Sequence, residues 1–254
     1  MTKVIMNGYL GQMGQIITSL VDKRSDMEIV AGIDIAQSHS AALFPTFSNI
    51  ADCDMPADVI IDFSIADVVS QIADYSAKKN IPAVICTTGL SDAVKQKIKE
   101  ASEKTAIFYS ANMSIGINLV ANMLKRMSKL LFDEGFDIEI LEKHHNRKVD
   151  APSGTALLLA DTVKDAVGED LSYMYNRSLK SEKRGRNEIG IHSVRAGTIV
   201  GYHSVIFSGR DETIELNHEA FSKEVFAAGA IKAAKFLKGK SAGLYDMQDI
   251  MDEL

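Results

Sequence analysis

Residues 4–21 read Val-Ile-Met-Asn-Gly-Tyr-Leu-Gly-Gln-Met-Gly-Gln-Ile-Ile-Thr-Ser-Leu-Val. Val4–Met6 is an apolar run of strand type, Gly8, Gly11 and Gly14 follow, and Ile16, Ile17, Leu20 and Val21 then recur at helical spacing. The order is strand, tight turn, helix. A second apolar run, Glu28–Ile33, ends at the acidic Asp34. Glycines permit the turn and a close backbone approach. A helix N-terminus offers N–H groups and a positive dipole to a pyrophosphate, and a carboxylate at the end of the second strand accepts hydrogen bonds from ribose hydroxyls. Leu10 stands where the second glycine of GxGxxG usually falls, so the motif alone also fits a plain βα turn. The strand–turn–helix–strand context favours a dinucleotide site. Asp34 also reads as a solvated strand end. As a ribose ligand it would repel a 2′-phosphate, and Ile35 adds no cation, so NADH is expected ahead of NADPH, with NADPH kept open.

Outward from this stretch, Val59–Phe63, Ala83–Cys86 and Ala106–Tyr109 are strand-like, and Ala66–Lys79 and Asp92–Lys104 are helical, the second opened by a Ser91 cap. Strands alternating with helices imply a parallel, doubly wound sheet. After Asn112 the rhythm changes. A helical stretch, Ile117–Phe132, leads into Asp137–Glu142, where Ile138 and Ile140 alternate with polar residues. A helix over Ala156–Val167 and strands over Glu188–Val194, Gly197–Phe207 and Thr213–Ala220 follow, suggesting an open, mostly antiparallel sheet. Phe221–Leu237 is helical, and Tyr245–Leu254 is a short closing tail. The fold class expected is α/β, an N-terminal Rossmann-like domain with a second α+β domain on an open mixed sheet.

The chain has 254 residues, 46% hydrophobic and 24% charged, an ordinary globular composition that allows two domains. A net charge of −6 gives no footprint for nucleic acid or an anionic membrane. Cys53 and Cys86 are the only cysteines and show no metal or disulfide spacing, which fits a reducing cytoplasm. The uncharged runs Val4–Val21 and Thr105–Leu124 carry too many Asn, Gln, Gly and Ser residues for a membrane span, and no signal peptide is read.

The densest chemistry lies in Glu142-Lys143-His144-His145-Asn146-Arg147-Lys148-Val149-Asp150-Ala151-Pro152-Ser153-Gly154-Thr155, between a strand and a helix. Ser153 is a good N-cap, which would leave the N–H groups of Gly154 and Thr155 to an anion such as a carboxylate. His144, His145, Arg147 and Lys148 put positive charge or proton donors beside it, suiting a substrate with two carboxylates. A metal site with Glu142 and Asp150 is disfavoured, because adjacent strand residues face opposite ways and no third ligand has convincing spacing. Asp150 reads best as a local hydrogen-bonding residue. His192, His203 and His218 read as sheet or surface residues, and His39 as a loop residue. The basic stretch Asn176–Asn187 reads first as a solvated loop or contact arm and second as a lure for anionic ligands. Cys86-Thr87-Thr88-Gly89 and Ser110-Ala111-Asn112-Met113 follow strands, where open parallel sheets bind ligands, and together suggest a nicotinamide-side wall.

Residues 142–156, EKHHNRKVDAPSGTA, resemble the signature of the 4-hydroxy-tetrahydrodipicolinate (dihydrodipicolinate) reductases. The resemblance runs on through Gly8–Gly14, Cys86–Gly89, Asn112–Asn118, Val194–Gly201 and Gly243–Met247. It implies NAD(P)H-dependent reduction of a cyclic imine dicarboxylate in diaminopimelate and lysine synthesis. His144 would be the proton donor, Lys148 its assistant, and His145, Gly154 and Thr155 the substrate ligands. Gly8, Tyr9, Leu10, Gly11, Gln12, Met13, Asp34, Cys86, Thr87, Thr88, Ser110, Ala111, Asn112 and Met113 would contact the cofactor. It further implies a cytoplasmic homotetramer without a metal, with residues 1–112 plus 224–254 binding dinucleotide and 113–223 binding substrate and joining subunits. Cys86, Met113 and Gln12 depart from the family's usual glycine, phenylalanine and arginine, the last weakening the case for NADPH. The alternatives are another amino-acid dehydrogenase, for aspartate or homoserine, and a non-catalytic dinucleotide sensor; the His-His-Lys cluster argues against both.

Overall fold

A computed structural model of the chain describes residues 1–36 and 42–253, so His39 lies outside the described residues. The chain forms two compact units, Met1–Ser114 with Lys223–Leu254, and Ile115–Ser222.

The first unit opens with strands β1 (Thr2–Asn7), β2 (Met27–Ile33) and β3 (Thr46–Phe47), then β4 (Val59–Asp62), β5 (Ala83–Ile85) and β6 (Ala106–Tyr109). Helices α1 (Gln12–Asp22), α2 (Ala66–Lys79) and α3 (Asp92–Ser102) connect them. The strands lie in the order β6-β5-β4-β1-β2-β3, all parallel. Every residue of β4 and β5 is buried, as expected of strands covered on both faces. The chain winds outward from β1 in one direction and returns through β4 in the other. The strand ends of β1 and β4 therefore flank the crevice where open sheets of this kind bind ligands.

Two glycines make that crevice possible. Gly8 has φ +79°, and a Cβ there would lie 2.5 Å from the Phe63 carbonyl oxygen. A Cβ on Gly14 would lie 2.2 Å from the Gly8 carbonyl oxygen, so the first turn of α1 sits directly on the loop.

The second unit holds α4 (Ile115–Asp133), β7 (Asp137–His144), α5 (Gly154–Val167), β8 (Ser172–Met174), β9 (Glu188–Arg195), β10 (Gly201–Ser208) and β11 (Thr213–Ala220). Its sheet order is β11-β10-β7-β9-β8. The expectation of a mostly antiparallel sheet needs correction. β10 runs antiparallel to β11 and β7, but β7–β9 and β9–β8 are parallel, because α5 forms the crossover after β7 and the unforeseen β8 joins the edge. Ile138, Ile140, Ile189, Ile191, Val205 and Phe207 pack with Leu124 of α4 and Leu159, Ala160 and Val163 of α5. The strand expected from Gly197 begins only at Gly201; Gly197 itself has φ +48° and turns the chain.

The arginines of the basic stretch before β9 clip it to the neighbouring strands and helix. Arg184 bonds Asp137 and Glu139 and also donates to the carbonyls of Ile138 and Glu188. Arg177 pairs with Glu188, and Arg186 donates to the Phe132 carbonyl with its guanidinium over the Phe132 ring.

The chain then rejoins the first unit through α6 (Glu224–Leu237), β12 (Gly243–Tyr245) and α7 (Met247–Asp252). α6 packs on α1 and the sheet, where the small Ala227, Gly229, Ala230, Ala233 and Ala234 are buried. The expected closing tail is in fact a seventh strand and a helix. β12 pairs in parallel with β6, locked by edge-on ring contacts from Phe108 to Phe236 to Tyr245. Among the described residues no helix is long and apolar enough to cross a membrane.

Gly8→Ala should lower stability by roughly 2–3 kcal/mol, combining a left-handed backbone with a clash against main chain. Gly239→Ala, at φ +82° with nothing within 4 Å, meets only the first problem and should cost about 1 kcal/mol. Equal shifts of the urea midpoint for the two variants would contradict the close approach at Gly8.

Candidate functional site

The candidate dinucleotide cradle is assembled by side chains that tie strand ends together. Asp62, fully buried at the end of β4, accepts from Asn7 Nδ2 at 2.6 Å, Ser64 Oγ at 2.6 Å and Thr87 Oγ1 at 2.7 Å. Burial pushes its carboxyl above the usual range, and these bonds oppose the rise. One residue thus fixes the loops after β1, β4 and β5. Asp34, just past β2, accepts from the Leu10 N–H at 3.1 Å and the Ala36 N–H at 3.0 Å. Each carboxylate oxygen can accept a second bond, so Asp34 can hold the glycine loop and still meet ribose hydroxyls. Gly8, Gly11, Asp34, Ile35, Ser64 and Gln71 line a cavity of about 350 Å³ here. Gly11 caps α1 without any side-chain bond, as a phosphate-binding helix start requires.

Around this cradle, Tyr9 is buried with its ring edge-on to Phe44, while Gln12 is exposed and Leu10 and Met13 are half-buried. Lys223, at the N-cap of α6, donates from Nζ to Gln12 Oε1 at 2.7 Å. Sequence reasoning missed this cation, because no local spacing links positions so far apart in the chain. Cys86 and Thr87 are buried after β5 and Thr88 is exposed; burial, with Asp62 nearby, pushes the Cys86 thiol well up. Beyond β6, Ala111 is exposed, Ser110 Oγ donates to the Asn112 carbonyl, and Asn112 Oδ1 accepts from the Ser114 N–H. Met113 is buried, its carbonyl oxygen 1.8 Å from where a Gly229 Cβ would stand.

The second unit carries the titratable cluster. β7 alternates inward through Ile138, Ile140, Glu142 and His144, so the last two follow the core residues to the buried face. Glu142 is fully buried and accepts four bonds: His144 Nδ1 at 2.6 Å, Arg195 Nη1 at 2.8 Å, Arg195 Nη2 at 2.7 Å and the Ser153 N–H at 3.1 Å. Burial alone would raise its pKa, but the bonds from Arg195 and His144 outweigh it and hold the carboxyl at about 2. His144 is pulled down by burial and pushed up by Glu142, with a net lowering.

Ser153 Oγ accepts from the Ala156 N–H and caps α5, as the sequence predicts. At Gly154 an added Cβ would meet nothing within 4 Å, so the helix start is open to an approaching group. Lys148 Nζ pairs with Asp150 Oδ1 at 2.8 Å, and the His145 carbonyl accepts the Lys148 N–H. His145 Nδ1 is buried without a hydrogen-bond partner among the described residues. Lys148, His145, Gly154 and Thr155 therefore lie on the turn and helix start joined to His144 through Glu142.

His203, expected as an ordinary sheet residue, belongs to this cluster. Its Nε2 lies 3.0 Å from Ser153 Oγ, and its ring meets the His144 ring edge-on at 5.2 Å. The signal was present, since His203 shares inward parity with Val205 and Phe207 on β10. Arg195 was legible only within the family resemblance, because its partner Glu142 lies on another strand. Among the described residues no group of three His, Cys, Asp or Glu side chains could hold a metal ion.

Burial lowers His203 to about 3 from 6.5. The unfolded chain therefore binds the extra proton first, and stability falls as pH drops from 6.5 towards 3. Between pH 6.5 and about 5, urea unfolding of the wild-type protein should lose up to about 1.4 kcal/mol per pH unit more than His203→Gln. Parallel slopes would show that His203 is not held neutral.

Comparison with known proteins extends these observations. The family model described as dihydrodipicolinate reductase, N-terminus, matches residues 2–113, and that described as dihydrodipicolinate reductase, C-terminus, matches residues 116–251. A 4-hydroxy-tetrahydrodipicolinate reductase of Clostridium novyi is 51% identical over 99% of this chain and 98% of its own length. One from Exiguobacterium sibiricum is 45% identical over 98% and 96%. Among solved structures, dipicolinate-bound dihydrodipicolinate reductase from Paenisporosarcina sp. TG-14 superposes with a TM-score of 0.81 at 25% identity, covering 98% of this chain and 99% of that one. Aspartate dehydrogenase from Thermotoga maritima shares the fold alone, with a TM-score of 0.54 at 12% identity over 94% of this chain and 98% of that one. With both family models matched in order and such identity sustained along nearly the whole chain, this protein belongs to the dihydrodipicolinate reductase family.

Proposed function

We propose that the chain performs its family's reaction, NAD(P)H-dependent reduction of 4-hydroxy-tetrahydrodipicolinate to tetrahydrodipicolinate in diaminopimelate and lysine biosynthesis, with His144 as proton donor. The observation that carries the assignment of roles is the Glu142-bound His144, joined through Ser153 to a helix start and flanked by Lys148.

The first unit fits a dinucleotide. Gly8 and Gly14 leave main chain where a Cβ would intrude, the uncapped start of α1 suits the pyrophosphate, and Asp34 suits the ribose. Tyr9 to Met13, Cys86 to Thr88 and Ser110 to Met113 complete the proposed contacts. When bound, the reduced nicotinamide supplies the hydride. Asp34, followed by the exposed Ile35, disfavours a 2′-phosphate and supports NADH as the preferred form.

The second unit fits a cyclic dicarboxylate, the class of the dipicolinate bound in the solved relative. One carboxylate is assigned to the Gly154 and Thr155 end of α5 and the other to His145. The substrate's 4-hydroxyl leaves as water with a proton from the neighbouring carbon, and the resulting conjugated imine would take up the hydride. His144 then delivers a proton from Nε2 to the carbon left carrying negative charge, which Lys148, released from Asp150, stabilises before protonation. No metal takes part. Residues 1–112 with 224–254 are assigned to the dinucleotide, and residues 113–223 to substrate and subunit contacts in a cytoplasmic homotetramer.

The test follows NADH and NADPH oxidation with substrate generated in place from pyruvate and aspartate semialdehyde by a synthase. His144→Ala should lose roughly 10²- to 10⁴-fold in turnover, and Lys148→Ala should lower kcat strongly while leaving NADH binding intact. NADH should give the higher kcat/KM. Undiminished turnover in His144→Ala would overturn the assignment, and a preference for NADPH would overturn the role of Asp34.

A further inference from the structure

We propose that Glu142, clamped by Arg195, is a positioning residue that holds the Nδ1 proton of His144 and so reserves Nε2 for proton delivery. This rests on the reading of His144 as proton donor.

A histidine on the last residue of a strand has two usable nitrogens, and a mobile ring would offer either. Here the choice is made by geometry. Glu142 stands two residues earlier on β7, so both side chains fall on one face, and its Oε2 lies 2.6 Å from Nδ1. An ionised carboxylate can only accept, so Nδ1 must carry its proton in both the charged and the neutral ring. Nε2 is left as the atom that gains and loses a proton. The ring has room to sit this way because β10 begins with glycine; a Cβ on Gly201 would approach Nε2 to 3.3 Å.

Arg195 makes Glu142 suitable for this work. Its two guanidinium nitrogens engage both carboxylate oxygens, and Nη2 also donates to the Asp150 carbonyl. The carboxylate therefore cannot rotate away, and its acidity is too great for it to take the Nδ1 proton from the ring. The Ser153 N–H on Oε1 ties the same carboxylate to the start of α5, so the proton donor and the proposed carboxylate site share one anchor. In the step itself the Nε2–H bond breaks as a bond to substrate carbon forms. The Nδ1–H remains on the ring, and water restores the Nε2 proton.

The groups that face His144 are Glu142 on its own strand, Arg195 from β9, Lys148 from the following turn and His203 from β10, with Asp150 paired to Lys148 and His218 on β11 beyond His203. Glu142 raises the His144 pKa, whereas burial, Lys148 and Arg195 lower it. Acid catalysis fades as pH rises through that pKa. Removing the Glu142 charge moves the fade to lower pH.

Glu142→Gln keeps the shape and an acceptor for the ring but loses the charge. Its kcat should fall by roughly 10- to 100-fold, with KM for substrate and NADH within about twofold, and the alkaline limb of its kcat profile should move to lower pH. A purely structural Glu142 would leave that limb in place. Wild-type-like kcat and alkaline limb in folded Glu142→Gln, beside an inactive His144→Ala, would overturn the inference alone. An active His144→Ala would instead remove the functional reading and the inference with it. Should Glu142→Gln fail to fold, nitrogen-15 NMR of the wild-type protein decides: neutral His144 should be the Nδ1–H tautomer, and the Nε2–H tautomer would overturn the proposal.

Discussion

A single buried carboxylate organises the second unit. Glu142 takes no contact with water and spends its acceptor capacity on Arg195, His144 and the Ser153 N–H, linking β7, β9 and the helix α5. A charge in that position is tolerable only because it is paired and fully hydrogen-bonded. Taking away the carboxylate would leave its partners misdirected. His144 would lose its orientation, the half-buried Arg195 would stand without its counter-charge, and the turn between His145 and Pro152 would lose its tie to the sheet. The proposed chemistry and the local fold are held by the same four bonds.

The first unit solves a similar problem with a different balance. Asp62 is as buried as Glu142 but has no cation beside it among the described residues, only the amide of Asn7, the hydroxyls of Ser64 and Thr87 and the Ser64 N–H. Burial therefore raises its pKa, where the guanidinium lowers that of Glu142. Its bonds join the ends of three neighbouring strands, and the loops that follow them form the wall of the crevice. A scaffold function suits a group with little charge to spare, and the proton delivery proposed for His144 calls for the firmer anchor that Arg195 supplies.

Much of this was legible in the chain because it depends on local pattern. The glycine spacing and the strand–helix alternation identify the parallel sheet, and Ser153 announces the start of α5. Period-two alternation already places Glu142 and His144 beside Ile138 and Ile140, and His203 beside Val205 and Phe207, although His203 reads as an ordinary sheet residue until the pairing of β7 with β10 is known. Features set by distant partners stay hidden. Arg195 meets Glu142 only through the parallel pairing of β7 and β9, Lys223 meets Gln12 only once α6 has folded back, and Gly243–Tyr245 becomes a strand only because β6 offers a free edge. Charge runs mislead for the same reason. The residues Arg177, Arg184 and Arg186 look like a solvated field until Glu188, Asp137, Glu139 and the Phe132 carbonyl are found beside them.

Everything proposed for the second unit requires a carboxylate of the ligand to meet the start of α5 beside His144. The most direct measurement is a crystal structure of the protein with dipicolinate and NADH. A ligand carboxylate oxygen should lie roughly 2.7–3.2 Å from the main-chain nitrogens of Gly154 and Thr155, with Nδ1 of His144 still on Glu142 and Nε2 turned to the ring. Dipicolinate bound through other residues, with the α5 start and His144 untouched by it, would contradict the account.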